Sequence, residues 1–372
     1  MNAHAKLNAT STVICLAAVA LIGFSGAIYG PTLSAIADEL GISAPIASLV
    51  VSAHGAGAFA AVALSLHHNI GKLMRYRPPV ALALISIGAF GIASGAPVPF
   101  PFVGAFLIGF GYGLITVGLN SLFARSFGEY SDAMVNLLNT MFGIGAIAAP
   151  AAFIMFNSAV AATYFSLAIL ALVLSLPAIL VDDRKPPEKS SDKSSTQFPT
   201  LPLLLMFGTI GVEATVIGWG PTILIEGNET RLDAARAASW FFVVYLATRT
   251  LAIPLSLYVT CQVIFLGAII GLTFVAVGAW TSESPRVWFI TFGIVGLVFP
   301  NGFGWFAGAL SDRPGIEAQV ILAALLGATI VPLFMSWWAN QFGAASLFFP
   351  ITLLLAAMTV MALRVTFEQS TN

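Results

Sequence analysis

Twelve apolar runs, each near 20 residues and separated by short polar breaks, constrain this chain more than any other feature. They fall at roughly 12–37, 44–66, 79–96, 100–124, 132–156, 159–181, 201–225, 235–258, 260–280, 286–309, 316–338 and 342–364. An α-helix rises about 1.5 Å per residue, so ~20 apolar residues cross the ~30 Å hydrocarbon core of a bilayer. Membrane β-strands need only about 9–11 residues and alternate in polarity, which these runs do not. Charged residues make up 8% of the chain, against about a quarter in soluble domains. The reading is an all-α membrane protein with twelve transmembrane helices. The first run is too long for the ~7–15-residue apolar core of a cleaved signal peptide.

The placement of charge sets an orientation. With the N-terminus inside, the inner segments hold eleven basic residues, among them Lys72, Arg75, Arg77, Arg125, Arg184 and Lys185, and the outer loops only Arg231, Arg236 and Arg286. That bias follows the positive-inside rule and predicts a multi-pass protein of the cell (inner or plasma) membrane with both termini cytoplasmic. A net charge of −1 gives no basis for a nucleic-acid partner. Cys15 and Cys261 make neither a disulfide framework nor a metal cluster. No metal or other cofactor is implied.

The longest connection, 182–200, is rich in Lys, Asp, Ser and Pro and divides the runs six and six. It predicts a flexible cytoplasmic linker between bundles at 1–181 and 201–372. Those halves repeat. Tyr29-Gly30-Pro31-Thr32-Leu33 returns as Trp219-Gly220-Pro221-Thr222-Ile223, 190 residues on, and Gly145-Ala146-Ile147-Ala148-Ala149-Pro150 returns as Gly327-Ala328-Thr329-Ile330-Val331-Pro332, 182 residues on. The shrinkage by eight is located by the loop His67–Pro78, whose counterpart between the eighth and ninth runs is nearly absent. Matching phrases in matching spans predict two six-helix halves related by a parallel pseudo-two-fold repeat, a transporter plan with its site near the bilayer midplane.

Several residue patterns carry a family resemblance. They are Gly109-x-Gly111-x-Gly113 with Asn120, Asn136 with Phe142-Gly143-Ile144-Gly145 and Pro150, Gly211-Val212-Glu213 with Trp219, Arg249, and Phe299-Pro300 leading to Gly327 and Pro332. On these the chain resembles the major facilitator superfamily over nearly its whole length, and within it is most similar to the fucose/glucose permease-like branch. The resemblance implies alternating access by two halves around a central cavity, uptake of a neutral small organic solute with sugars first, and action as a monomer. The chain also departs from the pattern. In the loop after the second span Gly71-Lys72 stands, but His68 holds the place of an acid. The acids that sugar–proton symporters of that branch carry in spans 1 and 4 are missing, the latter position being Thr116.

Glu213 is the one acid well inside a run, and Arg249 the one base. An ionised acid mid-membrane costs about 2.5–3.5 kcal/mol on insertion scales, so such a group faces a partner or a cavity. Glu213 is expected to couple protons or bind a cationic group, with Arg249 as its partner or as an anion site; a structural ion pair is the alternative. His54 is carried as a third coupling candidate beside a reading as a hydrogen-bonded packing residue, since no Cys, His or acid stands at i+3 or i+4 to complete a metal site. Tyr112, Thr116 and Asn120 recur at i+4 and share one helix face, as do Asn136 with Asn139, Tyr245 with Arg249 and Asn301 with Trp305 at three- or four-residue spacing. Together with Tyr29 and Trp219 they are the expected substrate-lining residues, with interhelical hydrogen bonding as the alternative role. Met358 and Met361 read as packing rather than copper ligands.

The functional expectation is secondary active transport of a sugar-like or other neutral, vitamin-like solute, proton-coupled through Glu213. Drug or metabolite efflux on the same fold, a transition-metal cargo and a non-transporting sensor stay open. The partners expected are the small-molecule substrate, protons and the lipid bilayer. No phosphate-binding loop is present to use ATP, and no constellation fit for membrane-embedded catalysis appears.

Overall fold

In a computed structural model the chain folds as predicted into helices; it describes residues 7–65, 77–181, 200–256, 258–309 and 316–371. His68, Gly71-Lys72 and all but the last residue of the 182–200 linker lie outside the described residues. Helices are what this composition demands. Lipid offers no partner for a backbone N–H or C=O, so each must be satisfied within its own segment. Hydroxyl side chains follow the same logic: Thr209, Thr215 and Thr273 each bond the carbonyl four residues back on their own helix, at 2.7, 2.8 and 2.9 Å.

Among the described residues, eleven helices are long and apolar enough to cross a membrane, and a twelfth apolar helix, Arg77–Ala93, is shorter. We number the spans in chain order. Span 1 is Ala9–Ala27 continuing as Tyr29–Leu40. Span 2 is Ala44–Ser65, span 3 Arg77–Ala93, span 4 Phe100–Ser126, span 5 Ser131–Met155 and span 6 Val160–Leu180. Span 7 is Thr200–Glu226, span 8 Arg231–Leu255 and span 9 Cys261–Thr281. Span 10 runs from Pro285–Thr291 through a 3-10 stretch, Phe292–Leu297, into Val298–Ala309. Spans 11 and 12 are Ile316–Phe342 and Phe348–Thr371.

The prolines take two kinds of position. Pro31 and Pro300 each sit third in a helix that opens after a break in their span, where the missing N–H costs nothing. Pro150, Pro221, Pro254 and Pro332 instead lie inside helices that continue past them.

The described contacts group into two units, Met1–Ile42 with Ala53–Glu188, and Ser43–Ser52 with Lys189–Asn372. In the first, span 1 packs on span 5, span 3 on spans 4 and 6, and span 2 on span 4. The second repeats this plan with span 7 on 11, span 9 on 10 and 12, and span 8 on 10. The phrase repeated at 145–150 and 327–332 has the same job in each unit. Gly145 in span 5 lies against the carbonyl of Ala20, and Gly327 in span 11 against the carbonyl of Phe207; a Cβ at either would collide with that backbone. Small residues permit this approach, which supplies the close dispersion contact that holds helices together in lipid. A polar link recurs as well: Ser86 in span 3 donates to Ala168 O in span 6 at 2.8 Å, and Thr273 in span 9 meets Thr359 in span 12 at 3.3 Å.

Candidate functional site

In the second unit the sequence-predicted ionisable pair is brought together, with a third residue between. Gly211 packs against Val331 and the Gly327 backbone of span 11, which fixes the rotation of span 7. Two residues later the helix has turned by about 200°, so Glu213 faces away from span 11. There the Tyr245 hydroxyl of span 8 donates to Glu213 Oε1 at 3.0 Å. One turn on from Tyr245, Arg249 Nη1 donates to the same phenol oxygen at 2.6 Å. The order is guanidinium to phenol to carboxyl, so the tyrosine oxygen accepts from the base while its proton goes to the acid.

The surrounding rings hold this chain in place. Tyr245 is 3% exposed and stacks on Phe241 at 6.3 Å between centroids, and Phe241 stacks on Phe289 of span 10 at 5.2 Å and 7°. The Arg249 guanidinium lies 5.6 Å from the Tyr245 ring centroid and 5.9 Å from that of Phe299. Such cation–π contact contributes about 0.5–2 kcal/mol as the site dries. Glu213 Oε2 is enclosed and has no hydrogen-bond partner among the described residues. The carboxyl therefore has one oxygen held and one that a proton or a donor group would satisfy.

The first unit builds a cluster of a different kind. His54 in span 2 stands between two tyrosines, with its ring 5.2 Å from Tyr29 and 5.1 Å from Tyr112, both edge-on. Its Nδ1 is 3.2 Å from the Tyr29 hydroxyl. Tyr29 is 2% exposed, and that nitrogen is the hydroxyl's one hydrogen-bond partner among the described residues. A buried O–H left unmade costs about 1–3 kcal/mol, so the phenol donates and Nδ1 accepts. In neutral imidazole the proton then resides on Nε2. Gly109 of span 4 lies against the His54 backbone carbonyl, which seats the histidine close to Tyr112 one turn along. Behind Tyr29, Tyr164 of span 6 is fully buried and its hydroxyl meets Thr32 Oγ1 at 3.3 Å.

The remaining candidates are less convergent. Thr116 donates to Tyr112 O at 2.8 Å, Asn120 to Thr116 O at 2.8 Å, and Asn139 to Val135 O at 3.1 Å. Their donors thus return to their own helices while the side chains stay half-buried. Asn136 is half-buried as well. Asn301 is 3% exposed and donates to Leu297 O at 2.7 Å; Trp305 packs on Phe265 and Phe306 at 5.7 and 4.5 Å. Trp219 is 1% exposed. Met358 sulfur lies against Gly208. Among the described residues no three of His, Cys, Asp or Glu gather where they could hold a metal ion.

Sequence alone does not single out Tyr164 and Phe299 as site residues. Tyr164 pairs with Thr32, which the repeated phrase at 29–33 already contained. Phe299 gave no separate signal, because a phenylalanine under a guanidinium looks like any other in an apolar span.

The Major Facilitator Superfamily profile matches residues 15–315. No curated protein matches the chain in sequence. Among solved structures, the nucleoside transporter NupG is similar at TM-score 0.74 and 13% identity, covering 95% of this chain and 99% of that one. The xylose transporter XylE from E. coli is similar at TM-score 0.72 and 13% identity, with 95% and 98% covered. FucP, a Major Facilitator Superfamily transporter, follows at TM-score 0.63 and 17% identity, with 95% and 98% covered. At such identities the likeness is one of fold. That fold and that family are those of membrane transporters rather than enzymes. With helix-pairing plan, internal repeat and profile in agreement, the chain belongs to the Major Facilitator Superfamily.

Proposed function

We propose that this protein is a secondary transporter that moves a small, neutral, oxygen-rich organic solute across the cell membrane by alternating access, with Glu213 carrying the coupling proton. The single observation behind this is the Arg249–Tyr245–Glu213 relay with the second carboxyl oxygen enclosed and unpartnered. Burial favours the neutral form of an acid and a nearby cation favours the charged form, so a carboxyl under both influences is suited to switch. A membrane acid that changes charge within a transport cycle links proton movement to the state of its bundle. The cargoes of similar transporters, xylose, fucose and nucleosides, are neutral molecules with several oxygen acceptors.

Proteoliposomes holding the full chain test the reading. Labelled D-xylose, L-fucose and uridine are offered with and without an imposed inward proton gradient. Gradient-driven accumulation of at least one, abolished by Glu213→Gln, is the expected result. Accumulation that ignores the gradient removes the coupling role. Absence of uptake of all three, in both transport directions, removes the solute class.

A further inference from the structure

The aromatic cluster in the first unit leaves one polar atom whose role the relay does not explain. His54 is half-buried, its ring is clamped edge-on by Tyr29 and Tyr112, and its Nδ1 is engaged by the Tyr29 hydroxyl. Its Nε2 is not among the enclosed polar atoms and makes no hydrogen bond to the described residues. The ring is thus fixed in position, in tautomer and in the direction of its one free donor. Holding a side chain this way removes the rotamer entropy that binding would otherwise cost.

We propose that His54 is a solute-contacting specificity residue, whose Nε2–H donates a hydrogen bond to a neutral oxygen acceptor of the transported molecule, a hydroxyl or a carbonyl. The inference rests on the transport reading above and names one contact within it. Three features select this chemistry. A protonated Nε2 is a donor and not a metal ligand, since a metal needs the lone pair. The Tyr29 hydroxyl enforces that form, because turning the tautomer over would strand a buried phenol proton. The face of Tyr112, half-buried beside the ring, offers flat apolar surface for the carbon skeleton that bears the oxygen. Tyr29 itself is a positioning residue, being 2% exposed and directed at the histidine.

The test uses the full chain, labelled with 15N-histidine and reconstituted in nanodiscs, with the His54 signals assigned by their loss in His54→Phe. The expected spectrum has a protonated Nε2 and a bare Nδ1, and Tyr29→Phe abolishes that preference. Titration with D-xylose, L-fucose and uridine is expected to move the Nε2 signal with at least one of them. For that solute His54→Phe raises KM about fivefold, the usual size of one neutral hydrogen bond, with kcat little changed. His54→Gln, which places an amide N–H near the same point, recovers most of the loss. A protonated Nδ1 overturns the proposal. So does an Nε2 signal that stays still while a solute is transported, in which case the transport reading stands without this contact. If none of the three is transported or bound, the solute class and the contact fall together.

Discussion

Tyr245 donates its phenolic proton to Glu213 Oε1 across 3.0 Å, so the acid deep within span 7 is held by a tyrosine. Arg249 reaches the same phenol at 2.6 Å. The sequence expectation of an acid and a base as partners is refined by this bridge, which keeps a hydroxyl between the two charges.

Tyr245→Phe removes that hydroxyl and leaves the ring stack on Phe241 in place. A hydrogen bond to a charged group contributes about 1.5–3 kcal/mol, so the variant should unfold at lower temperature in nanodiscs and lose most gradient-driven uptake. Thermal unfolding followed by tryptophan fluorescence, beside uptake at saturating solute, checks both. An unchanged melting curve would show that the bridge contributes nothing.

Glu213→Gln keeps the side-chain shape and a carbonyl for the Tyr245 proton, but cannot change charge. Uphill accumulation should fall by at least about tenfold, the effect of ~1.4 kcal/mol or more on the driven step. Solute counterflow at equal pH should persist. Uptake measured across external pH should be flat for the variant and pH-dependent for the natural chain.

Gly145→Ala and Gly327→Ala each place a methyl group on a facing backbone carbonyl, of Ala20 and Phe207 respectively. Overpacking of this kind costs about 1–3 kcal/mol, and backbone cannot yield as a side-chain tip can. Both variants should lose thermal stability, whereas Gly267→Ala, with nothing within 4 Å of the new methyl, should not. Equal behaviour of all three in detergent melting would refute the account of the helix contacts.

The charge bias predicts the topology. In a background with Cys15 and Cys261 replaced by serine, a cysteine at Ser190 should react with a membrane-impermeant maleimide only from the cytoplasmic side, and one at Ser282 only from outside. Reversed labelling would overturn the orientation.

Much of this was legible from residues alone because lipid leaves a chain so few options. Twelve runs of the right length forced helices, and the phrases at 29–33 and 219–223 disclosed the doubled plan before any contact was known. Proline shows what residues alone do not disclose: Pro221 repeats Pro31, yet only Pro31 follows a break, because neighbouring helices decide whether a proline's lost hydrogen bond is tolerated. The candidate site was legible as a list and not as an arrangement. Glu213 and Arg249 announced themselves by the cost of charge in a bilayer. That Tyr245 would bridge them, that Asn120 and Asn301 would turn their donors to their own helices, and that Tyr29 would set the proton on His54 depended on helix rotations.

By itself, then, the sequence determined the number and kind of elements, their repeat and the scarcity of charge within them, since those follow from transfer energies summed along a chain. Only the tertiary structure decided which hydroxyl meets which acid or imidazole. Hydrogen bonds act over about 3 Å, and such distances are set by how close two helices approach, which here depends on glycine surfaces meeting backbone from spans far apart in sequence.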